Sequence, residues 1–460
     1  LRTDGRGVLL TGGRAPAALE LARALADGGW RVHAAESVSR HLCQASRAVA
    51  GSHRVPAPAA DAARYAAALA AIAAREELDA LVPVCEEIFH IARHADVLAE
   101  VGCRVLAAPL GTLARLHSKW AFIRLAESYG FDVPHTRLVT SPEAWRAAAE
   151  QADEPLVLKP VYSRFAANVT IVGAAGGEKR RVEAGVRGRT VAEGGAEDEE
   201  LRIAWGGRGK VEVGALLPAD VSLERGLRLA GRSSSRQSPP TGLPLPSRPE
   251  VSERYPWVAQ QYVAGRELCA YAIAHDGRLA AFAVYASLYK AGRGAAVYFE
   301  ALSHPALREW VGRFVALERF TGQIAFDFIE TPEGRLYPLE CNPRATSGVH
   351  LFRSAGPRLA AALLAPERLG GGCLEPRAGA KAMLTLPMLA CGMAAQPTPR
   401  GALRWLGKLL TARDAVFRWR DPLPYAGQLG LLSELARTGR KRGVSLLAAS
   451  TLDMEWNGEA

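Results

Sequence analysis

Lysine, asparagine and paired cysteine are what this sequence has least of. Among its 57 Lys and Arg residues eight are lysine (119, 159, 179, 210, 290, 381, 408 and 441), leaving 49 arginines, and asparagine occurs at 168, 342 and 457. In a chain so rich in arginine and alanine, a lysine or asparagine marks a position to inspect. The seven cysteines (43, 85, 103, 269, 341, 373, 391) are odd in number and scattered, with no CxxC pair. That excludes a disulfide framework, and buried thiols in a reducing cytoplasm are expected. No uncharged run approaches the roughly 18 residues that a membrane span needs, and the first thirty residues lack a charged-then-apolar signal pattern. The chain opens on Leu1, so an upstream start or an unusual start codon is expected.

What is present is the composition of a folded soluble protein. The 460 residues are 49% hydrophobic and 23% charged, which supports roughly three domains. The net charge is +10, and residues 351–460 supply +7 of it (15 basic less 8 acidic residues). No zinc spacing, aromatic RNA-binding pattern or recognition helix accompanies that excess. A solvated basic face is therefore expected, and no nucleic-acid partner.

The first 110 residues alternate strand and helix. VLLTGG (8–13), RVHAAES, LDALVPVCEE and CRVLAAP read as strands, with helices over 15–28 and 59–76. Such alternation predicts a parallel sheet with helices on its faces, whose ligands bind beyond the carboxyl ends of the strands. Residues 11–14 and the pair Glu86–Glu87 fall there, which makes Glu86 and Glu87 candidate substrate contacts. A helix over 112–129 leads to the buried strand PLVLKP (155–160). Residues 174–250 then hold 13 Gly and 11 Arg in 77 positions, with poor hydrophobic periodicity. They read as a loosely ordered low-complexity insertion, as read-through sequence would be, with a structured small domain as the weaker alternative. Antiparallel strands return over 255–288, with a turn at Asp276-Gly277. A helix over 304–319 precedes a hairpin, GQIAFDFI–ETPEG–RLYPLECN.

The hairpin carries the most chemistry. Asp327 lies inside an apolar run, where an uncompensated carboxylate is costly. The turn brings Glu340 near or opposite it, and Asn342, two residues on, shares that face. Paired carboxylates about 5 Å apart suit a hard cation such as Mg²⁺ held with nucleotide phosphates. The alternative is Glu340 paired with Arg344 and Asp327 at a strand end. Lys119, opening a helix, and Lys159, ending a strand, stand where a side chain can reach a phosphate; solvated lysines are the alternative. AQQYVAGRE (259–267) reads as strand, connector and strand. Its backbone can meet a purine edge and Glu267 a ribose, or it is an ordinary tight turn.

The order of these pieces resembles the ATP-grasp ligases. The resemblance rests on SKWAFIRLAESYGFDVP, PLVLKP, QQYVAGRE and AFDFI…LECNPRATSGVHLF, and covers most of 1–173 and 251–355. It implies an α/β chain: a Rossmann-like N-terminal domain (1–111), an ATP-grasp domain (112–360) interrupted by the insertion, and a mostly helical C-terminal appendage (361–460). It implies that Lys119 and Lys159 contact phosphates, that Gln260, Gln261, Tyr262 and Val263 line the adenine, and that Glu267 binds ribose. Asp327, Glu340 and Asn342 would hold Mg²⁺ (Mn²⁺ as the alternative), and Arg344, with Lys159, would be catalytic. Lys290 and Arg293 are candidate contacts for an acidic substrate. Where many members have a glycine-rich flap, this chain has VYSRFAANVTIV, so Ser163 and Arg164 are expected to cover the phosphates instead. Within the family, TGQIAFDFIETPEG…ECNPR and DPLP (421–424) are similar to the mycosporine-glycine synthases, which join an amino acid to a cyclic enolone.

The expected function is thus an ATP-dependent ligase that phosphorylates a carboxylate or enolic oxygen and joins it to an amine, with small-molecule acid and amine partners. One alternative is an NAD-dependent dehydrogenase built on TGGR and Glu36, although TGGR lacks a full GxGxxG. Another is a non-catalytic nucleotide-binding or membrane-surface protein using the basic, apolar stretch 402–419; docking of that stretch on the body of the protein is the preferred expectation.

Overall fold

The computed structural model describes residues 6–150, 152, 154–164, 168–172, 250–291, 294–392, 396 and 398–458. Apart from Glu250, the expected insertion lies outside the described residues, as does Arg293.

The N-terminal run GVLLT is buried at every position, as in a strand covered on both faces. It forms β1 (Gly7–Thr11) at the centre of a five-stranded parallel sheet with β2 (Arg31–Glu36), β3 (Gly51–Arg54), β4 (Ala80–Val82) and β5 (Arg104–Val105), in the order β3-β2-β1-β4-β5. Helices α1 (Pro16–Asp27), α2 (Ala62–Arg75), α3 (Glu87–Arg93) and α4 (Ala95–Glu100) connect these strands. Pro at the first turn starts α1, and the Asp61 carboxylate caps α2 by accepting from Arg64 N at 2.9 Å. The stretch 112–129 is two helices, not one: α5 (Leu110–His117) and α6 (Lys119–Ser128). Ser118 is extended between them, and its Oγ accepts from Ala121 N at 3.2 Å, so a side-chain cap restarts the helix at Lys119.

A four-stranded antiparallel sheet follows, from β6 (Thr136–Val139), β7 (Leu156–Pro160), β8 (Thr170–Val172) and β9 (Trp257–Gln261) in the order β6-β9-β7-β8, with α7 (Pro142–Glu150) between β6 and β7. The largest sheet has seven strands, ordered β16-β15-β10-β11-β14-β17-β18. Its centre is β10 (Arg266–His275) and β11 (Arg278–Ala286), joined by Asp276-Gly277, both at positive φ (44° and 78°) as a two-residue hairpin turn requires. A small hairpin, β12 (Lys290–Ala291) with β13 (Ala295–Ala296), precedes β14 (Tyr298–Leu302), α8 (Pro305–Leu317), β15 (Gly322–Glu330) and β16 (Leu336–Asn342).

Alternation divides the residues of this sheet between two cores. Leu268, Ala270, Ala272 and Ala274 on β10, with Ile324, Phe326 and Phe328 on β15, pack with Phe122 of α6 and with Trp310 and Phe314 of α8. Tyr271, Ile273 and Ala325 face the other way, into a core shared with α1 and with α9 (Gly356–Leu364). Asp327, between Phe326 and Phe328, therefore points away from the aromatic cluster.

Residues 361–460, read as an appendage, extend the large sheet. β17 (Lys381–Met383) pairs with β14, and β18 (Arg413–Asp414) pairs with β17. Strands of two or three residues carry no period-2 signal, so composition could not show them. After the short α10 (Thr385–Pro387), α11 (Pro399–Thr411) buries Trp405 against Met388 while Leu403 and Leu410 stay 70% and 75% exposed. The stretch 402–419 is thus a helix that ends at Thr411, followed by β18 and a loop. Two more helices, α12 (Leu423–Arg442) and α13 (Leu446–Ala449), close the chain. Among the described residues no helix is long and apolar enough to cross a membrane.

Candidate functional site

In the β15–β16 hairpin Asp327 stands directly opposite Glu340, with Asn342 opposite Ala325. The register then slips, so that Phe328 faces Pro338 and Leu339 is the extra residue. Pro338 has no N–H to give a ladder, and β16 is the sheet's edge, where a bulge is tolerated. The Leu339 carbonyl accepts from Lys159 Nζ at 3.2 Å, so the bulge seats one of the two lysines singled out above. The other, Lys119 at the start of α6, lies with its Nζ 3.2 Å from Glu340 Oε2 and donates to the Ser163 carbonyl at 3.2 Å. Both lysines are buried, while Glu340 keeps 30% of its side chain open.

Placing these charges together shifts their protonation. Burial, then the charge of Glu340, raises Asp327 above the usual carboxylate range. Burial works the same way on Glu340, but Lys119 and Lys159 outweigh it and hold Glu340 low. Burial pushes Lys159 down to about 8, with Lys119 adding to the fall and Glu340 opposing it. Arg344 donates from Nη2 to Asn342 Oδ1 at 3.2 Å, and its buried Nε has no partner. Glu340 does not pair with Arg344, as one alternative reading had it. It faces Lys119 and Asn342, while Arg344 lies 3.6 Å from Glu86.

The two carboxylates and the Asn342 amide are hard oxygen donors on one strand pair, and they fit a Mg²⁺ ion. Lys119, Lys159 and the unpartnered Nε of Arg344 fit the phosphates that would bring such an ion.

Other expected contacts are placed as follows. The hydroxyl of Thr11 and the N–H groups of Val84 and Cys85 all donate to Glu87 Oε1, at 2.6, 3.0 and 3.0 Å. Glu87 thus ties the ends of β1 and β4 together, facing inward. Glu86 forms an ion pair with Arg164; burial raises its carboxyl, but the charge of Arg164, with Arg344 adding to it, outweighs that and holds it low. Glu267 and Lys290, expected to meet ribose and substrate, form an ion pair with each other. Gln260 is buried, donating from Nε2 to Thr136 Oγ1 at 3.1 Å. Gln261 Oε1 accepts from His135 N at 3.2 Å, and Tyr262 N donates to the Pro155 carbonyl at 3.0 Å. The Gln260 carboxamide is therefore committed to the sheet interior.

Sequence reasoning missed three residues at this site. His117, buried beside Glu86 and Lys119, is pushed down to about 3 by burial and stays neutral, with its Nε2 unpartnered. Arg14 and Trp456 are the others. Arg14 lay inside a flagged segment, whereas Trp456, four residues from the end of the chain, carried no motif at all.

A second group, His33, His53 and Glu76, clusters within 4.8 Å. Its imidazoles contact each other at 2.9 Å, and their outer nitrogens face Arg31 at 2.9 Å and Arg75 at 3.1 Å. A metal-bound imidazole needs an acceptor at its outer nitrogen; here guanidinium donors occupy that position.

No family model matches the chain. Solved structures similar to it include L-amino acid ligase from Bacillus licheniformis (13% identity, TM-score 0.48, covering 78% of this chain and 74% of that one). N5-carboxyaminoimidazole synthetase from Staphylococcus aureus is similar at 11% identity and TM-score 0.48, over 78% of this chain and 77% of that one. Phosphoribosylamine–glycine ligase from Thermotoga maritima is similar at 15% identity and TM-score 0.49, over 82% and 78%. These neighbours are ATP-grasp carboxylate–amine ligases.

Proposed function

We propose that the chain is an ATP-dependent ligase, with residues 1–111 as a Rossmann-like substrate domain and 112–360 as an ATP-grasp domain. The observation that carries this reading is the convergence of Asp327, Glu340, Asn342, Lys119, Lys159 and Arg344, from two strands of one sheet, one of another and a helix start, around one hairpin. Two buried lysines and the unpartnered Nε of Arg344 leave the hairpin with donors to spare for a polyphosphate.

Asp327, Glu340 and Asn342 would hold Mg²⁺, which would supply charge neutralisation for the phosphates. Lys119 and Lys159 would grip the phosphates, and Arg344 would face the transferring group. A carboxylate or enolic oxygen attacks the γ-phosphorus, the bond to the bridging oxygen breaks, and ADP leaves with that electron pair. The amine nitrogen then bonds to the activated carbon while its C–O bond to phosphate breaks. Phosphate departs, and the surplus proton of the nitrogen passes to phosphate or solvent. Little of this is covalent work for the protein, so positioning and electrostatic stabilisation dominate. Glu340→Gln removes the charge that Lys119 and the cation share. Substrate-dependent ADP formation is expected to fall by about 10²-fold or more, and unchanged turnover would refute the metal assignment.

The dehydrogenase alternative is disfavoured by Glu36. Its carboxylate, which would have to meet a ribose, is buried, ion-paired with Arg14 and bonded to Ser37 N at 2.6 Å.

A further inference from the structure

The last described residues run back over the carboxyl ends of the parallel strands, where ligands of such sheets bind. Asp453 accepts from Arg14 Nη1 and Nη2 at 2.7 and 2.8 Å, just past β1, and from Ser37 just past β2. Three residues on, Trp456 is buried just past β4. Its indole stacks on Phe89 with centroids 4.5 Å apart and planes 6° from parallel. Tyr162 meets it edge-on at 5.4 Å, and His117 lies at 6.3 Å.

The main chain of Trp456 is held at both ends by charged groups. Its N–H makes a long hydrogen bond of 3.5 Å to Glu86 Oε2, and its carbonyl accepts from Arg164 Nη2 at 2.8 Å. The Glu86 and Arg164 side chains are 4% and 9% exposed. A carboxylate and a guanidinium that pair with each other thus also hold a neutral amide N–H and C=O. A free α-amino acid offers an ammonium and a carboxylate at the same two points, and charge-assisted bonds there are roughly twice as strong as neutral ones. The ring slot adds a third point of recognition for an aromatic side chain. The slot also has a direction. Glu86, at the amine end, is 3.6 Å from Arg344, which bonds Asn342 of the hairpin.

We propose that Trp456 is a tethered stand-in for a free aromatic α-amino acid. Glu86 takes the amino group, Arg164 the carboxylate, and Phe89, Tyr162 and His117 the ring; the tail and the amino acid exclude one another. The assignment of that amino acid as the amine substrate rests on the ligase reading above; its binding does not.

The test is calorimetric titration of L-tryptophan and L-phenylalanine without nucleotide. It compares the full chain, the full chain carrying Trp456→Ala, and a chain ending at Leu452. A tethered competitor acts at a high effective concentration, so both altered chains are expected to bind at least about tenfold more tightly than the parent. Glycine and free indole, each lacking one recognition point, are expected to bind more weakly than L-tryptophan. Arg164→Met in the Trp456→Ala chain is expected to remove the gain. If the shortened chain loses its cooperative melt, the Trp456→Ala chain decides; if both do, Trp456 is a structural plug and the proposal falls. It also falls if neither gains affinity, or if indole binds as well as L-tryptophan. ADP release with Mg²⁺ and ATP is recorded separately. Release without amino-acid binding overturns this inference and leaves the ligase reading; binding without release does the reverse.

Discussion

Lys159 is an ammonium in a place that disfavours one. Burial, with Lys119 nearby, brings its pKa down to about 8, and bound phosphates would raise it again by offering opposite charge. Binding then takes up a proton at any pH between the free and bound values. ADP affinity is accordingly expected to be flat below pH 8 and to weaken above it, by up to about tenfold per pH unit. Lys159→Arg, charged throughout, should flatten that profile, and Lys159→Met should remove it along with most of the affinity; titration calorimetry from pH 6.5 to 9.5 reads all three. At this scale the sequence was informative where rarity met position. Lys119, Lys159 and Asn342 come from three of its scarcest slots, and the structure gathers them at the hairpin. It was uninformative about Trp456 and His117, because the rings that bury them (Phe89 and Tyr162 for both) come from other elements of the chain and leave no local pattern.

Elements whose residues alternate cleanly were legible; those defined by one irregular residue were not. The sequence IAFDFI already separates Asp327 from Phe326 and Phe328, and the turn at 331–334 sets Glu340 across from it. The bulge at Leu339, which seats Lys159, could not be read, since a slip of one residue depends on what the partner strand offers. Gly265 is a further irregular point. A Cβ there would lie 2.2 Å from the Glu330 carbonyl oxygen and 2.6 Å from Ile329 Cγ2, so β10 meets β15 closely only because residue 265 has no side chain. Gly265→Ala must push the strands apart just where β10 begins, two residues before Glu267. Nucleotide affinity is expected to fall about tenfold, with the urea midpoint lowered as well. The aromatic cluster provides a control: Phe314→Ala, on the face away from Asp327, should cost about 3–5 kcal/mol of stability and leave nucleotide affinity within about twofold. An equal loss of affinity in both variants would mean that Gly265 has no special coupling to the site.

Over the whole molecule, part of the basic excess of residues 351–460 goes into attachment, while most of its arginines form the expected solvated face. Arg418 pairs with the buried Glu20 of α1, and Lys381 and Lys408 both pair with Glu300. The anchor in the opposite sense is Asp421, in the segment read only as DPLP. It accepts from Arg23 Nε at 2.9 Å, Ser46 Oγ at 2.6 Å and Arg47 N at 3.0 Å. Arg23 also donates to the Asp421 and Ala415 carbonyls, at 3.1 and 3.4 Å. The final hundred residues are thus tied to the first sheet through ion pairs that no composition profile reveals, because a charge count cannot distinguish a solvated arginine from a paired one. Removing one member of a buried pair strands the other, at a cost of about 3–5 kcal/mol. Asp421→Ala should therefore lower the urea midpoint of the whole chain, with helices α12 and α13 lost together with the N-terminal sheet. The sign with pH follows from the direction of its shift. Burial raises the carboxyl, but Ser46, Arg47 and Arg23 outweigh it and hold Asp421 below its ordinary value. Its contribution is then complete above the usual carboxylate range and lost as pH falls through the lowered pKa. The gap in urea midpoint between parent and Asp421→Ala should stay constant from pH 8 to about 5 and close below about 4. A gap that persists at low pH would show that the side chain stabilises by shape and not by charge. A separate, earlier melting of α12 and α13 in the parent would show that the last hundred residues stand apart from the first sheet after all.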